Sequence, residues 1–304
     1  MDPDLLKKCI ELWRNDKNII DFLKRNSNYN LSDIIEISYD LQAGTYIDFY
    51  NNNRSFYDDY TSEMSSFILR LIEENSTILD IGTGEMTTFS VLLKKISPKI
   101  KSSFCFDISL SRILKGIVFS ESLFGPITKI NNPFVANMSE IPINSKGVDY
   151  VISSHALEPN GGNLEIILKE LFRVCKKKLI LFEPYYENNS SEGKLRMDKL
   201  GYIKDIENTV KKCGGEITEI SPLQNIANSL NPTACFVIEP SLNTGKFPAD
   251  LFFTYPGTDY LLRKKSNYWF SSDLGVIFSE INEIPVLKKD KAFLASSIIG
   301  LGDG

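Results

Sequence analysis

Between residues 77 and 241 the chain changes its hydrophobic period again and again. Short β-type runs, "TILDIG", "SSFCFDIS", "PFVANM", "VDYVISSHAL", "KKLILFEPYY", "GEITEISPL" and "TACFVIEPS", are interleaved with helical stretches over 86–96, 110–124, 162–175 and 203–213. Strands joined through helices pair in parallel, because a helical crossover returns the chain to the same end of the sheet. The final two runs differ. Only "QNIANSLNP" separates them, too short for a right-handed helical crossover, so they must run antiparallel. The expected fold is α/β: a seven-stranded, mostly parallel, doubly wound sheet with its last strand antiparallel.

The flanks read differently, and three units are expected: 1–75, 76–240 and 241–304. The first is an N-terminal helical cap or lid. Leu5, Leu6, Ile10, Leu12, Trp13, Ile19, Ile20 and Phe22 recur at helical spacing and predict one amphipathic helix over 3–25. Ser32 is placed to cap a second helix, and a third is expected over 61–74. The last unit opens on a linker, "PSLNTGKFPAD", and continues as a small β-rich appendage.

Composition bounds the function. Hydrophobic residues make up 42% of 304 residues, enough for a sizeable core. A net charge of −5 gives no electrostatic footprint for nucleic acid or an anionic membrane. No apolar run approaches the ~18 residues of a spanning helix. The N-terminal segment is charged and lacks a signal-peptide core, so a soluble, cytoplasmic protein is expected. Cys9, Cys105, Cys175, Cys213 and Cys235 are scattered, and His155 is the sole histidine, so no histidine/cysteine metal centre is expected.

The first strand ends in "LDIGTGEM". Gly82 and Gly84 let the backbone turn tightly and lie against a ligand, and the helix that follows presents free N–H groups. Asp107 closes the next strand, where a carboxylate can hold both hydroxyls of a ribose. Its competing role is a turn or helix cap in "DIS". A dinucleotide loop would carry a third glycine where Thr87 stands.

In order, "ILDIGTGE", "FDIS", "VANMSEIPINSKGVDYVISSHALEP" and "LILFEPYY" resemble the successive motifs of class I S-adenosylmethionine (SAM)-dependent methyltransferases over about 76–240. The resemblance implies SAM as cofactor. It implies that Asp80, Gly82, Thr83 and Gly84 border its methionine part, Asp107 and Ile108 its ribose, and Asn137 and Met138 its adenine. Ser154 and His155 would face the methyl group. Two departures stand out. Met86 replaces the usual third glycine, which predicts looser packing of the following helix. Pro159 stands where many relatives carry histidine.

Methyl transfer needs donor and acceptor held in line, and sometimes a base. His155 is the first candidate base, with Glu158 and Glu183 at the ends of the fourth and fifth strands as alternatives. Each has a structural competing role. Tyr185 and Tyr186 are expected in the acceptor pocket. In "SYDLQAGTYIDFY", Tyr39, Gln42, Gly44 and Tyr46 are expected to cover SAM as a lid, with an aromatic ring toward the sulfonium, or else to pack on the sheet edge. This segment also reads like the N-terminal part of methyltransferases encoded beside bacterial surface-polysaccharide genes.

Residues 253–298 resemble the small zinc-ribbon-like domain that partners several methyltransferases. Tyr255, Thr258, Ser271 and Leu274 occupy its cysteine positions and cannot hold zinc, so Phe253, Trp269, Ile284 and Val286 would have to hold the fold. The expected activity is methylation, at oxygen, of a small molecule or a sugar-containing surface-polysaccharide intermediate. A protein or tRNA methyltransferase and a non-catalytic SAM-fold subunit are the alternatives. The partners expected are a small-molecule or glycan substrate, without nucleic acid or membrane insertion; a homodimer stays open.

Overall fold

The computed structural model describes residues 2–125, 131–240 and 250–298. Of the expected linker, residues 240–250, the stretch 241–249 lies outside the described residues. Five helices come first: α1 (Pro3–Arg14), α2 (Ile19–Asn26), α3 (Leu31–Leu41), α4 (Thr45–Asn52) and α5 (Arg54–Leu71). The single helix expected over 3–25 is thus two. Asn15 closes the first turnwise, Asp16 takes a left-handed φ of 53°, and the Asn18 side chain accepts from the Asp21 N–H to start the second. Asn30, not Ser32, caps α3 through the Asp33 N–H. The helix expected over 61–74 begins seven residues earlier and stops at Leu71, where Ile72 turns extended.

The sheet follows: β1 (Ser76–Ile81), α6 (Thr87–Ile96), β2 (Ile100–Asp107), α7 (Leu110–Phe124), β3 (Asn131–Val135), β4 (Val148–Ser154), α8 (Leu164–Val174), β5 (Cys175–Pro184), α9 (Ser191–Leu200), α10 (Ile206–Lys212), β6 (Glu216–Pro222) and β7 (Thr233–Glu239). The strands lie in the order β3-β2-β1-β4-β5-β7-β6. β7 runs antiparallel to both neighbours, so it sits inside the sheet and β6 takes the edge. Helix α9 has no counterpart in the sequence reading.

Both faces of the sheet are covered. On one, Leu164, Ile167, Leu168 and Leu171 of α8 pack with Ile206 and Val210 of α10. On the other, Met64 and Ile68 of α5 meet Phe89 and Leu92 of α6 and Ile113 of α7. The appendage forms β8 (Arg263–Lys265), β9 (Tyr268–Ser271), β10 (Val276–Ile281), β11 (Ile284–Pro285) and β12 (Phe293–Leu294). Of the residues that had to hold it, Phe253 and Trp269 meet edge to face at 4.9 Å. Ile284 and Val286 are buried against the sheet domain instead. Val286 pairs in parallel with Val135, and the Leu287 N–H donates to the Val135 carbonyl, so the appendage covers the open edge at β3.

Candidate functional site

The carboxyl ends of β1 to β4 form the floor of a cavity of about 530 Å³, and α3, α4 and α5 roof it. This is where an open α/β sheet binds its ligands, at the switch between β1 and β4. Asp80, Gly82, Thr83, Gly84, Asp107, Ile108, Asn137, Met138, Ser154, His155 and Glu158 all line it, with Tyr39 and Tyr46 from the roof.

Both glycines are required by conformation, and Gly82 by space as well. Both are left-handed, at φ 59° and 55°. A Cβ on Gly82 would come within 2.6 Å of the Ala156 Cβ, and one on Gly84 would meet the Tyr46 ring at 3.4 Å and Arg112 Nη1 at 3.6 Å. Asp107 joins loop to acid: its carboxylate accepts the Gly84 N–H at 3.0 Å and the Ser109 N–H at 2.9 Å. Asn137 ties floor to roof, donating to Ser32 Oγ at 3.2 Å while its Oδ1 accepts from Ser139.

Met86 does not loosen the packing. It is fully buried, left-handed at φ 55°, and starts α6. The close approach is supplied from the other side by Gly116 of α7, where a Cβ would stand 2.9 Å from both the Glu85 carbonyl carbon and Met86 Cγ. Glu85, also fully buried, reaches the roof: its two oxygens accept the Gly44 and Ile47 N–H groups, each at 2.9 Å, and so cap α4.

At the end of β4, His155 adopts a left-handed φ of 57°. Its Nδ1 lies 2.9 Å from Glu158 Oε2 and its Nε2 2.9 Å from Thr233 Oγ1, and a third of its side chain remains exposed. Burial pushes the ring toward its neutral form, but the Glu158 carboxylate outweighs this and holds its pKa above the ordinary value. Burial likewise opposes the charge on Glu158; His155, Asn231 and Tyr202 overcome it and hold that carboxyl below its usual range. Both shifts point to an ion pair. Beneath lie carboxyls that burial drives upward: Asp80 to about 8, Glu183 to about 7, and Asp107.

Some expected site residues stand outside the cavity wall. Gly44 serves α4 and faces Lys115, and Gln42 ends α3. Glu183 lies behind the wall, where one oxygen accepts from Ser153 Oγ and the Ala156 and Leu157 N–H groups. It braces the turn after β4. Tyr185 and Tyr186 point away, to Glu207 and Asp198, because they follow the end of β5 on the far side of that brace. The rings of Tyr39 and Tyr46 stack on Arg112, at 4.9 and 4.3 Å, and not as free faces for a cation. Arg112, Thr233 and Asn231 are site residues that sequence reasoning missed. An arginine on the apolar face of α7, beside Gly116, was the one available signal. In the appendage, Thr258 closes a turn on the Tyr255 carbonyl and Leu274 joins the small apolar core.

No protein-family model matches the chain, and no curated protein sequence does either. Solved structures do match by fold. Magnesium protoporphyrin IX methyltransferase from Synechocystis PCC 6803, with bound SAH, is 12% identical over 69% of this chain and 99% of that one, with a TM-score of 0.52. A chain of the complex between the Haloferax volcanii Trm112 methyltransferase activator and a candidate methyltransferase is 16% identical over 65% of this chain and 96% of that one, with a TM-score of 0.50. The fold is that of the class I SAM-dependent methyltransferases.

Proposed function

We propose that the chain is a SAM-dependent methyltransferase acting at an oxygen of a small molecule or sugar-containing intermediate. One observation carries the reading. The side-chain-free loop at Gly82–Gly84 and the Asp107 carboxylate are hydrogen-bonded to each other and open on one cavity. That is the pairing a nucleoside with an amino-acid tail requires. When bound, SAM supplies a methyl group on a sulfonium. In their ionised form the floor carboxyls Asp80 and Asp107 favour such a cation; in this reading Ile108 borders its ribose, and Asn137 and Met138 its adenine.

The acceptor wall belongs to Phe49, Phe56, Tyr57 and Tyr60, with Tyr60 Oη 3.0 Å from Ser154 Oγ. Among the described lining residues, the cationic groups are Arg112 and His155. A roof of three helices over this wall suits a small, uncharged acceptor better than a protein or tRNA. The base is the deprotonated ring of His155: with its Nδ1–H donating to Glu158, Nε2 takes the acceptor proton once the acceptor hydroxyl replaces Thr233, and the imidazolium so formed is held by the Glu158 carboxylate. A second reading, a non-catalytic SAM-binding subunit, draws on the fact that both ring nitrogens are already engaged.

Calorimetry with SAM, paired with transfer of a radiolabelled methyl group into cell-extract small molecules and glycans, tests the proposal. Binding is expected, weakened roughly ten- to hundredfold in Asp107→Ala. Absence of binding sinks it; binding without label transfer to any fraction favours the second reading.

A further inference from the structure

We infer that Arg112 is a carboxylate anchor within the cavity, holding the amino-acid end of the donor; this rests on the function proposed above. Arg112 is buried to 1% side-chain exposure, yet neither Nη1 nor Nη2 makes a well-formed hydrogen bond, Glu85 and the Tyr46 hydroxyl standing only in looser contact. Everything else about it is fixed. Its Nε donates to the Tyr39 carbonyl at 2.8 Å, and the rings of Tyr39 and Tyr46 lie along the guanidinium. What is left is the two-nitrogen edge.

The neighbouring acids do not fill that edge. Glu85 stands 3.6 Å away, too far for a hydrogen bond, with both oxygens committed to the start of α4. The Asp107 oxygens take the Gly84 and Ser109 N–H groups. A buried guanidinium with unused donors is costly unless something completes it. The planar pair of donors matches a carboxylate in bidentate geometry.

Two features place the ligand's carboxylate there. Gly84 leaves open the space beside Nη1 that a Cβ would enter. Helix α6 starts at Met86 without a side-chain cap, and Thr87 and Thr88 of its first turn line the same cavity. Its free N–H groups add a second set of donors for an anion. An adenosine held by Asp107 would carry its tail across Gly84 into this corner.

The test compares three ligands by calorimetry on the full chain: S-adenosylhomocysteine, its carboxamide, and methylthioadenosine, which lacks the amino-acid end. In the wild type, the carboxylate ligand should bind roughly ten- to hundredfold tighter than the carboxamide. Arg112→Met should erase that preference and leave methylthioadenosine affinity unchanged, and Arg112→Lys should restore part of it. Equal loss for all three ligands in Arg112→Met would make the residue a structural clamp and overturn the anchor. Should Arg112→Met fail to fold by circular dichroism, the wild-type comparison decides alone, and equal affinity for acid and amide overturns it. If the wild type binds none of the three, the proposed function itself falls, and the anchor with it.

Discussion

At the scale of single residues, the site is set by where side chains are missing. Gly82 and Gly84 stood out because they follow an apolar strand and precede a helix, and Asp107 because it closes the next strand; the structure brings the three onto one cavity. Gly116 was not legible. Nothing in "LKGIVF" says that a helix passes close to the Glu85 backbone. Gly116→Ala should therefore destabilise by about 1–3 kcal/mol, since the new methyl meets backbone that Glu85 holds in place. Urea denaturation measures it. Adding Met86→Ala, which removes one of the two contacts, should recover part of the loss; full additivity of the two changes would refute the shared contact. Arg112 escaped for a related reason. A charged residue on an apolar helix face announces a partner, but its partner is three-dimensional: the Tyr39 carbonyl and the rings of the roof.

At the scale of elements, the strands of the sheet and a helical roof over 1–75 were readable, but the individual helices of the roof were not. The seven strands and the antiparallel pair followed from apolar runs and from one short connection, which are properties of continuous sequence; the order β3-β2-β1-β4-β5-β7-β6 did not. Helix α9 was missed because "SEGKLRMDKL" has weak apolar periodicity, though Ser190 does cap it at the Gly193 N–H. Helix α4 has no local capping signal at all: its N-cap is Gly44, and its cap is Glu85, about forty residues on. That makes Glu85 a fastener between the roof and the glycine loop. Glu85→Ala should leave the Gly44 and Ile47 N–H groups unpaired, at a cost of about 1–3 kcal/mol. Hydrogen exchange should then quicken at 44–47 while the strands keep their protection. Uniform loss of protection across the sheet would mean that Glu85 supports the whole fold and not the roof.

At the scale of the whole molecule, the appendage and the buried acids matter most. The appendage holds more than the β3 edge. Ser145 donates to Asp259, Lys289 pairs with Glu140, and Lys288 pairs with Glu36 of the roof, so the segment carrying Asn137 and Met138 is gripped from outside the sheet domain. The edge the appendage pairs with, at Val135, was not legible in the sequence, because edge pairing is backbone chemistry.

The acids give the last prediction. Asp80 rises from 3.8 to about 8 and Glu183 from 4.5 to about 7, both through burial first. A raised carboxyl binds its proton more tightly in the folded state, so its stabilisation is complete below the unfolded pKa and disappears as pH climbs through the folded one. His155, also raised, acts in the same direction, while the lowered Glu158 adds stability only above its own range. The melting temperature should therefore fall from pH 5 to pH 9, and Asp80→Asn should flatten the decline. Binding a sulfonium favours the ionised floor, so SAM should release protons and bind more tightly at pH 8 than at pH 6, and the neutral thioether S-adenosylhomocysteine much less so. Scanning fluorimetry across pH and calorimetry in buffers of different ionisation enthalpy read both effects. A melting temperature that stays level from pH 5 to pH 9 would mean that Asp80 and Glu183 are already ionised in the folded protein.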